Sequence, residues 1–487
     1  MRTSYLSSSS PGPAVPPRTF PSMEFLAIER DSAPKASTIE QYLDAQTLGF
    51  PVLSYVALSI CICALDASAS RLDSLVARNC ALQEFSPAAA DTVWSQTALF
   101  AMLSSVGRLL GLLIALLVAD RMGRRPLALL GIGVASFFAI ASAFSWSWTS
   151  FLVIRAVVDV GTACAILPAL HITAEILPTK DRSRVLSVVA VASFSVGPLL
   201  TDVLAAVVLG TFGWRKLLLI IGVASVCLFV IAYYSLFESP RLLLGVGKTT
   251  EAEIVVQKLI ASSIKLDLST ASGYEGGSMA DLFGPSLWQS TRGLLLIYAG
   301  TGFCLSAQLR LLNQSDEKVG SHSCTFTQGI ALILTSAFAL TVTFAVATLM
   351  PDHASRRNNT SAKLFAAAAV CQGALLVEST FQGPLLILST GFALSAFGLI
   401  WAHTAEVIYT DIRTRGHCLF QMLYVVGQAA SSFWTEDEAS LSFTLAVLAM
   451  LTLVSPETQG TLDSRLRSLK NRSLDEHEEE LHGLLFR

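Results

Sequence analysis

Charge is what this sequence has least of. Of its 487 residues only 14% are Asp, Glu, Lys or Arg, while 53% are hydrophobic, and a soluble domain carries about a quarter charged residues because its surface faces water. With a mean hydropathy of +0.59, the chain has more apolar surface than a globular core could hide, and lipid is the remaining solvent. A net charge of -3 supplies no basic face for nucleic acid. No set of Cys and His has zinc-ligand spacing, so neither a metal nor any other cofactor is expected. A Gly-rich loop ending in Lys-Ser/Thr is also missing, which excludes ATP hydrolysis of that kind as the energy source. No nucleophile, base and oxyanion donors converge in the sequence, so the chain does not read as an enzyme. Of nine cysteines, Cys61, Cys63, Cys164, Cys227, Cys304, Cys371 and Cys418 sit in apolar runs as small buried side chains, and only Cys80 and Cys324 fall in loops. That is no disulfide framework.

Long apolar runs are what the chain has instead. Stretches of about 20 apolar residues, enough to cross a bilayer as helix, lie near 50–68, 93–119, 126–145, 149–174, 185–209 and 217–237, then near 292–309, 327–350, 362–379, 383–408, 414–435 and 439–454. They predict an all-α polytopic membrane protein with twelve transmembrane helices in two six-helix halves, 49–237 and 292–455. The Ser- and Pro-rich segment 1–48 cannot bury enough apolar area to order itself and is expected to be a disordered tail. In the linker 238–291, Thr249-Thr250-Glu251-Ala252-Glu253 predicts a short amphipathic helix with a threonine cap and acids in its first turn. Residues 456–487 form an acidic second tail. If the N-terminus is cytosolic, the tails and the loops after even-numbered runs hold 25 of the 33 Lys and Arg and the opposite loops hold six. The positive-inside rule therefore predicts that both termini and the linker are cytosolic. The expected setting is the bilayer of a plasma or vesicle membrane, with a monomer as the working unit.

One loop is written twice. Asp120-Arg121-Met122-Gly123-Arg124-Arg125 follows the second run, and Asp352-His353-Ala354-Ser355-Arg356-Arg357 follows the eighth. Asp120 and Glu175 are 55 residues apart, Asp352 and Glu406 are 54 apart, and each Glu is followed by arginines, Arg182 and Arg184 in one case, Arg413 and Arg415 in the other. A second landmark at matched distance points to internal duplication of one ancestral bundle. Together with Glu238-Ser239-Pro240-Arg241 after the sixth run and Pro456-Glu457-Thr458-Gln459-Gly460 after the twelfth, these loops resemble the signatures of the major facilitator superfamily. The likeness is nearest to its synaptic-vesicle-two-related, organic-ion and sugar branches. Leu116 stands where the signature has Gly, Asp159 where relatives have Gly, and Ala69 where the vesicle branch tends to carry an acid. The resemblance implies gradient-driven, secondary active transport of a small organic solute by alternating access, with organic ions among the solute classes and protons among the coupling ions. A hexose is disfavoured, because Gln308 stands alone where the sugar branch pairs two glutamines. The alternative is a non-transporting receptor or vesicle component that keeps the fold, and Leu116 and the altered second loop favour it.

An ionised side chain at bilayer depth costs roughly 2.5 to 3.5 kcal/mol, so those that persist face a cavity or a partner. Asp66, Arg108, Arg155, Asp159 and Asp202 are such residues, and they are the candidates for proton or substrate coupling. Arg155 and Asp159, four apart, can pair within one helix. Their depth also lets Arg155 meet Asp66, an exchange the resemblance implies. His171 lies lower in the fourth run. In the second half the candidates for the substrate cavity are Gln308, Trp401, His403, Gln421, Tyr424 and Gln428, the last three spaced along one helix face. A mechanical role, holding the cytosolic side shut, is expected of Asp120, Arg121, Gly123, Arg124, Arg125, Glu175, Arg182, Glu238 and Arg241, with Asp352, Arg356, Glu406, Arg413 and Glu457 as their counterparts.

Overall fold

A computed structural model describes residues 49–76, 80–85, 93–260, 278–317, 330–349, 357–377, 381–408, 412–433 and 438–455. Twelve long helices cover most of them. In the first half these are α1 (Phe50–Val76), α2 (Val93–Met122), α3 (Arg124–Ser142), α4 (Trp148–Ile176), α5 (Thr179–Phe212) and α6 (Trp214–Ser235). In the second they are α7 (Pro285–Glu317), α8 (Ile330–Leu349), α9 (Arg357–Ala374), α10 (Gln382–Val407), α11 (Arg413–Ser431) and α12 (Glu438–Val454). Each matches one apolar run of the sequence. By length and composition 8 of them can cross a membrane, and α8 and α12 contain shorter apolar stretches. The other two, α9 and α11, are diluted by polar residues such as Gln372, His417, Gln421 and Gln428 that turn inward. Interior helix faces in a bilayer tolerate such residues because neighbouring helices satisfy them.

Turn chemistry sets the breaks. The Ser147 hydroxyl accepts from the Ser150 amide and Ser150 returns the bond, a capping box that starts α4. Gly213, at φ +79°, is the single residue between α5 and α6, a left-handed joint that only glycine takes without strain. Pro240 follows the Ser239 cap of a short helix, Pro240–Gly245. The amphipathic helix expected in the linker is present as Thr249–Ile260, and Ala252, Val255, Val256 and Leu259 pack with Tyr55 and Leu58 of α1. Helices are generally longer than the apolar runs that announced them. The largest departure is at α7, which starts seven residues before and ends eight past the predicted 292–309, and α1 likewise continues eight residues past its predicted end at 68, to Val76. Seven of the cysteines are free thiols, whereas Cys80 is disulfide-bonded.

The halves repeat one packing scheme. In the first, α3 packs on α4, α2 on α4, α1 on α5, α3 on α6 and α1 on α4; in the second, α9 packs on α10, α8 on α10, α7 on α11, α9 on α12 and α7 on α10. Adding six to each number converts one list to the other, as the duplicated loop requires. Between the halves, α2 meets α11 and α5 meets α8, and α10 also leans on α5. Gly123, Pro178, Leu236, Ser239, Gly284 and Ile412 mark one end of the bundle, the linker end. A Cβ on Gly302 would collide with the carbonyl oxygen of Tyr424, and one on Gly427 with that of Ala299, so α7 and α11 touch backbone to backbone. Gly427→Val should therefore lower the thermal unfolding midpoint of the purified protein by several degrees, with a cost of at least about 1–3 kcal/mol. An unchanged midpoint would show that the α7–α11 contact is looser than described.

Candidate functional site

At the linker end, one carboxylate collects three partners. Glu175 closes α4, is fully buried, and is paired with Arg124 from the first turn of α3 and with Arg413 from the first turn of α11 at 2.5 Å. The Ser239 hydroxyl also donates to it. Because Arg413 belongs to the second half, this ion pair crosses between the halves and closes them. Arg413 donates in addition to the Ile408 carbonyl at 3.2 Å, and its counterpart Arg182 donates to the Leu177 carbonyl at 2.7 Å. These two i to i−5 contacts at equivalent helix starts are the duplication made visible. Glu406, the counterpart of Glu175, is also buried, as is Arg241 beside the Ser239 cap.

The first signature loop is held by Glu238. The Arg125 amide donates to its Oε2 at 3.0 Å and the Ser239 amide to its Oε1 at 3.0 Å. Gly123 has φ +98°, and a Cβ there would lie 2.6 Å from Glu238 Oε2, so both backbone angle and space require glycine. Burial raises the Glu238 pKa above the usual carboxylate value, against the amides of Arg125 and Ser239 that pull it down. The Arg125 side chain reaches the last carbonyls of α6, Leu236 at 2.5 Å and Tyr233 at 3.0 Å. Arg121 is exposed, and Leu116 is half-buried against the main core. The side chain of Asp120, together with Asp352, Arg356 and Glu457, lies outside the described residues.

Nearer the opposite end, the buried charges of the first half sort into three pairs. Arg155 binds Asp73 at 2.5 Å, Arg71 binds Asp202 at 2.6 Å, and Arg108 approaches Asp159 at 3.6 Å. Neither expected pairing of Arg155 occurs. Asp159 faces α2, where it meets Arg108 and accepts from the Ser104 hydroxyl at 2.6 Å, and Asp66 accepts from Thr162 at 2.8 Å. The cause is the longer α1. Asp66, Ser70 and Asp73 recur at intervals of four and three and share a face, so Asp73 takes Arg155 and Ser70 takes a bond from Arg108. Arg71 and Asp73 are functional candidates missed in the sequence, where they passed as loop residues. The run Asp66-Ala67-Ser68-Ala69-Ser70-Arg71-Leu72-Asp73 has no helix breaker, and that was the available signal.

The second half places its candidates in two groups. Trp401 is fully buried between the halves, 5.1 Å from the Phe194 ring of α5 and 5.6 Å from the His417 ring. Tyr424 stacks on Phe397 at 4.7 Å, and Gln428 accepts from Arg108 of the first half at 3.3 Å. Gln421 is buried on the same α11 face, with its carbonyl unpaired, as is the Trp401 indole nitrogen. Gln308 does not join them. It donates to Ser389 at 2.6 Å and to Gln372 at 3.4 Å, binding α7 to α10 and α9 inside the half, where polar side chains act as interhelical glue. His403 is buried on α10, two residues and so about 200° around the helix from Trp401. No group of three or more metal-ligating side chains occurs among the described residues.

A family model for the Major Facilitator Superfamily matches residues 45–432. The chain belongs to the Major Facilitator Superfamily. Members of known kind that it resembles include the organic cation/carnitine transporter 2 of Rattus norvegicus, 24% identical over 74% of this chain and 68% of that protein. The transporter svop-1 of Caenorhabditis elegans is 25% identical over 70% of this chain and 72% of its own length. Among solved structures, the proton:xylose symporter XylE of E. coli superposes with a TM-score of 0.62 at 18% identity, covering 86% of this chain and 98% of that one. The human organic anion transporter MFSD10 gives 0.60 at 18%, covering 84% and 99%. The superfamily fold is thereby established, and these relatives and neighbours are transporters rather than enzymes. In this superfamily member the Glu175 cluster makes a direct prediction. Breaking a buried ion pair by removing one partner costs about 3–5 kcal/mol, so Glu175→Gln should depopulate the state closed at the linker end. A Cβ on Gly398 of α10 would sit 3.2 Å from the Val191 Cβ of α5, close to disulfide geometry. Oxidative cross-linking of Val191→Cys with Gly398→Cys should fall severalfold on adding Glu175→Gln, and an unchanged yield would remove Glu175 from the gate.

Proposed function

We propose that this protein is a secondary active transporter of small organic cations, working by alternating access with the linker end facing the cytosol. One observation carries the solute class. Among the described residues in the membrane-embedded part of the first half, three arginines face four aspartates; Arg71, Arg108 and Arg155 pair with Asp202, Asp159 and Asp73, and Asp66 accepts from the Thr162 hydroxyl. The set therefore carries one negative charge in excess, and Asp66, half-buried and sharing Arg108 electrostatically with Asp159, is where a cation can meet it. Across the interface, α11 brings Tyr424, stacked on Phe397, within electrostatic reach of Arg108, on which Asp66 also acts. Aromatic faces of this kind attract quaternary and protonated amines. The rat relative, organic cation/carnitine transporter 2, is named for solutes of this class.

Energy comes from a gradient, and the proton enters through the same group. A proton on Asp66 cancels the charge that attracts the solute, so proton and organic cation compete for one site, which is the elementary requirement for exchange. Rocking of the two halves about α2–α11 and α5–α8 then exposes Asp66 to either side in turn. The 25 Lys and Arg on the linker side, against six on the opposite side, fit a cytosolic face there, and a plasma or vesicle membrane supplies the gradient. The test is uptake into proteoliposomes. Wild-type protein should accumulate quaternary and primary ammonium solutes when the proton gradient opposes them, in preference to anions and sugars. Asp66→Asn should weaken cation binding about tenfold or more, the scale of one lost charge contact of about 1.4 kcal/mol or more, and abolish the pH-driven component. Preferred uptake of anions, or wild-type accumulation by Asp66→Asn, would overturn the proposal.

A further inference from the structure

Just inside the Glu175 cluster, a line of hydrogen bonds crosses from one half to the other through two histidines. His171 of α4 and His417 of α11 are both fully buried, and His171 Nε2 lies 3.0 Å from His417 Nδ1. At one end of the line, His171 Nδ1 lies 3.1 Å from the Thr414 hydroxyl. At the other, His417 Nε2 lies 2.9 Å from the Tyr298 hydroxyl, which donates to Thr404 Oγ1 at 2.9 Å, and Thr404 donates to the Ile400 carbonyl at 2.8 Å.

Counting hydrogens fixes the direction of every bond. Thr404 spends its proton on Ile400 and Tyr298 spends its own on Thr404, so Tyr298 must accept from His417 Nε2–H. His417 Nδ1 is then bare and accepts from His171 Nε2–H, and His171 Nδ1 accepts from Thr414. This pattern holds for two neutral rings, each with its proton on Nε2. A second proton on His417 would require His171 to move its own proton from Nε2 to Nδ1 and reverse its bond to Thr414, and the 3.0 Å contact between the halves would then hold a cation that water cannot reach. A second proton on His171 would keep that bond but place a cation, unreachable by water, beside two more. Arg124 and Arg413 both act electrostatically on His171. The remaining groups around the pair are Glu175 of α4, already bound to those arginines, and Tyr298 of α7. α10 faces it with Thr404 and the Trp401 ring, which do not titrate.

We propose that His171 and His417 form a proton-binding latch between the halves, intact only while both rings are neutral, so that protons favour opening of the linker end. The latch is separate from Asp66, and it works whatever solute is carried. The sign follows from linkage. Separated halves expose the rings to water, where an imidazole takes up a proton near pH 6.5, whereas the closed state excludes it. Closure is thus fully available well above that pH and is lost as pH falls through it.

Met122, at the end of α2, and Trp288, at the start of α7, are exposed at the linker end in opposite halves. Spin labels on Met122→Cys and Trp288→Cys, in full-length protein whose free cysteines are replaced, report their separation by pulsed electron resonance without added solute. Between about pH 8 and about pH 5.5 the ratio of long to short distances should rise about tenfold for one proton linked to opening. The double variant His171→Gln with His417→Gln should remove most of that rise. If the double variant does not yield folded protein, His171→Gln and His417→Gln are read singly, and each should reduce the rise. A pH-independent distance distribution in the wild-type background, or a full rise in the variants, would overturn the latch. Failure of cation uptake with the distance response intact would instead count against the solute assignment alone.

Discussion

The arrangement of this molecule at its linker end depends on one carboxylate that two arginines from different places must share. Glu175 is unreachable by solvent, and so are Arg124 and Arg413. Taking three charges out of water costs several kcal/mol for each ion, and only close mutual contact repays it. The cluster is therefore stable when complete and costly when divided. Arg124 belongs to the same half as Glu175 and Arg413 to the other, so separation of the halves divides it along one line, the Glu175–Arg413 contact. Arg124 then remains to neutralise Glu175 while water reaches Arg413. A closure that can be broken without stranding a charge in a dry interior is what a rocking transporter requires.

The buried charges of the first half follow a different rule. Arg71, Arg108 and Arg155 each find an acid on a neighbouring helix of their own half, so their pairing does not depend on the position of the second half. The Arg108 contact to Gln428 reaches across to the second half. Charge that must stay neutralised during movement is thus kept within one rigid body, while the contacts that change are concentrated at the other end.

Much of this was legible in the sequence, because apolar run length and a repeated loop are properties of the chain alone. All twelve helices lie where runs of about 20 apolar residues placed them, and the matched spacing from Asp120 to Glu175 and from Asp352 to Glu406 gave the two halves their correspondence. Glu175 and Arg413 were expected in two separate charge networks, one for each half, and their pairing with each other and with Arg124 came from the structure. Partner choice was harder. Arg155 could have met Asp66 or Asp159 by depth and spacing, and it met Asp73, because hydropathy marks where a helix enters polar surroundings rather than where its hydrogen bonds stop. Gln308 shows the same limit in another form. A glutamine in an apolar helix must bond to something, but the sequence does not say whether that is a solute or Ser389 of the next helix.

The joints of the chain also set what can move. Gly213 alone separates α5 from α6, Gly123 alone separates α2 from α3, and Leu177 and Pro178 alone separate α4 from α5. Hinges so short leave neighbouring helices no slack to slide or tilt against one another, and the backbone contacts of Gly107 and Gly111 with α4 remove what remains. A first half built in this way has the kinematics of a single lever, with its few internal freedoms frozen by connectivity. A stroke of the protein is then a rotation of one whole half, and the segment between α6 and α7 is where the chain passes from that lever to the other.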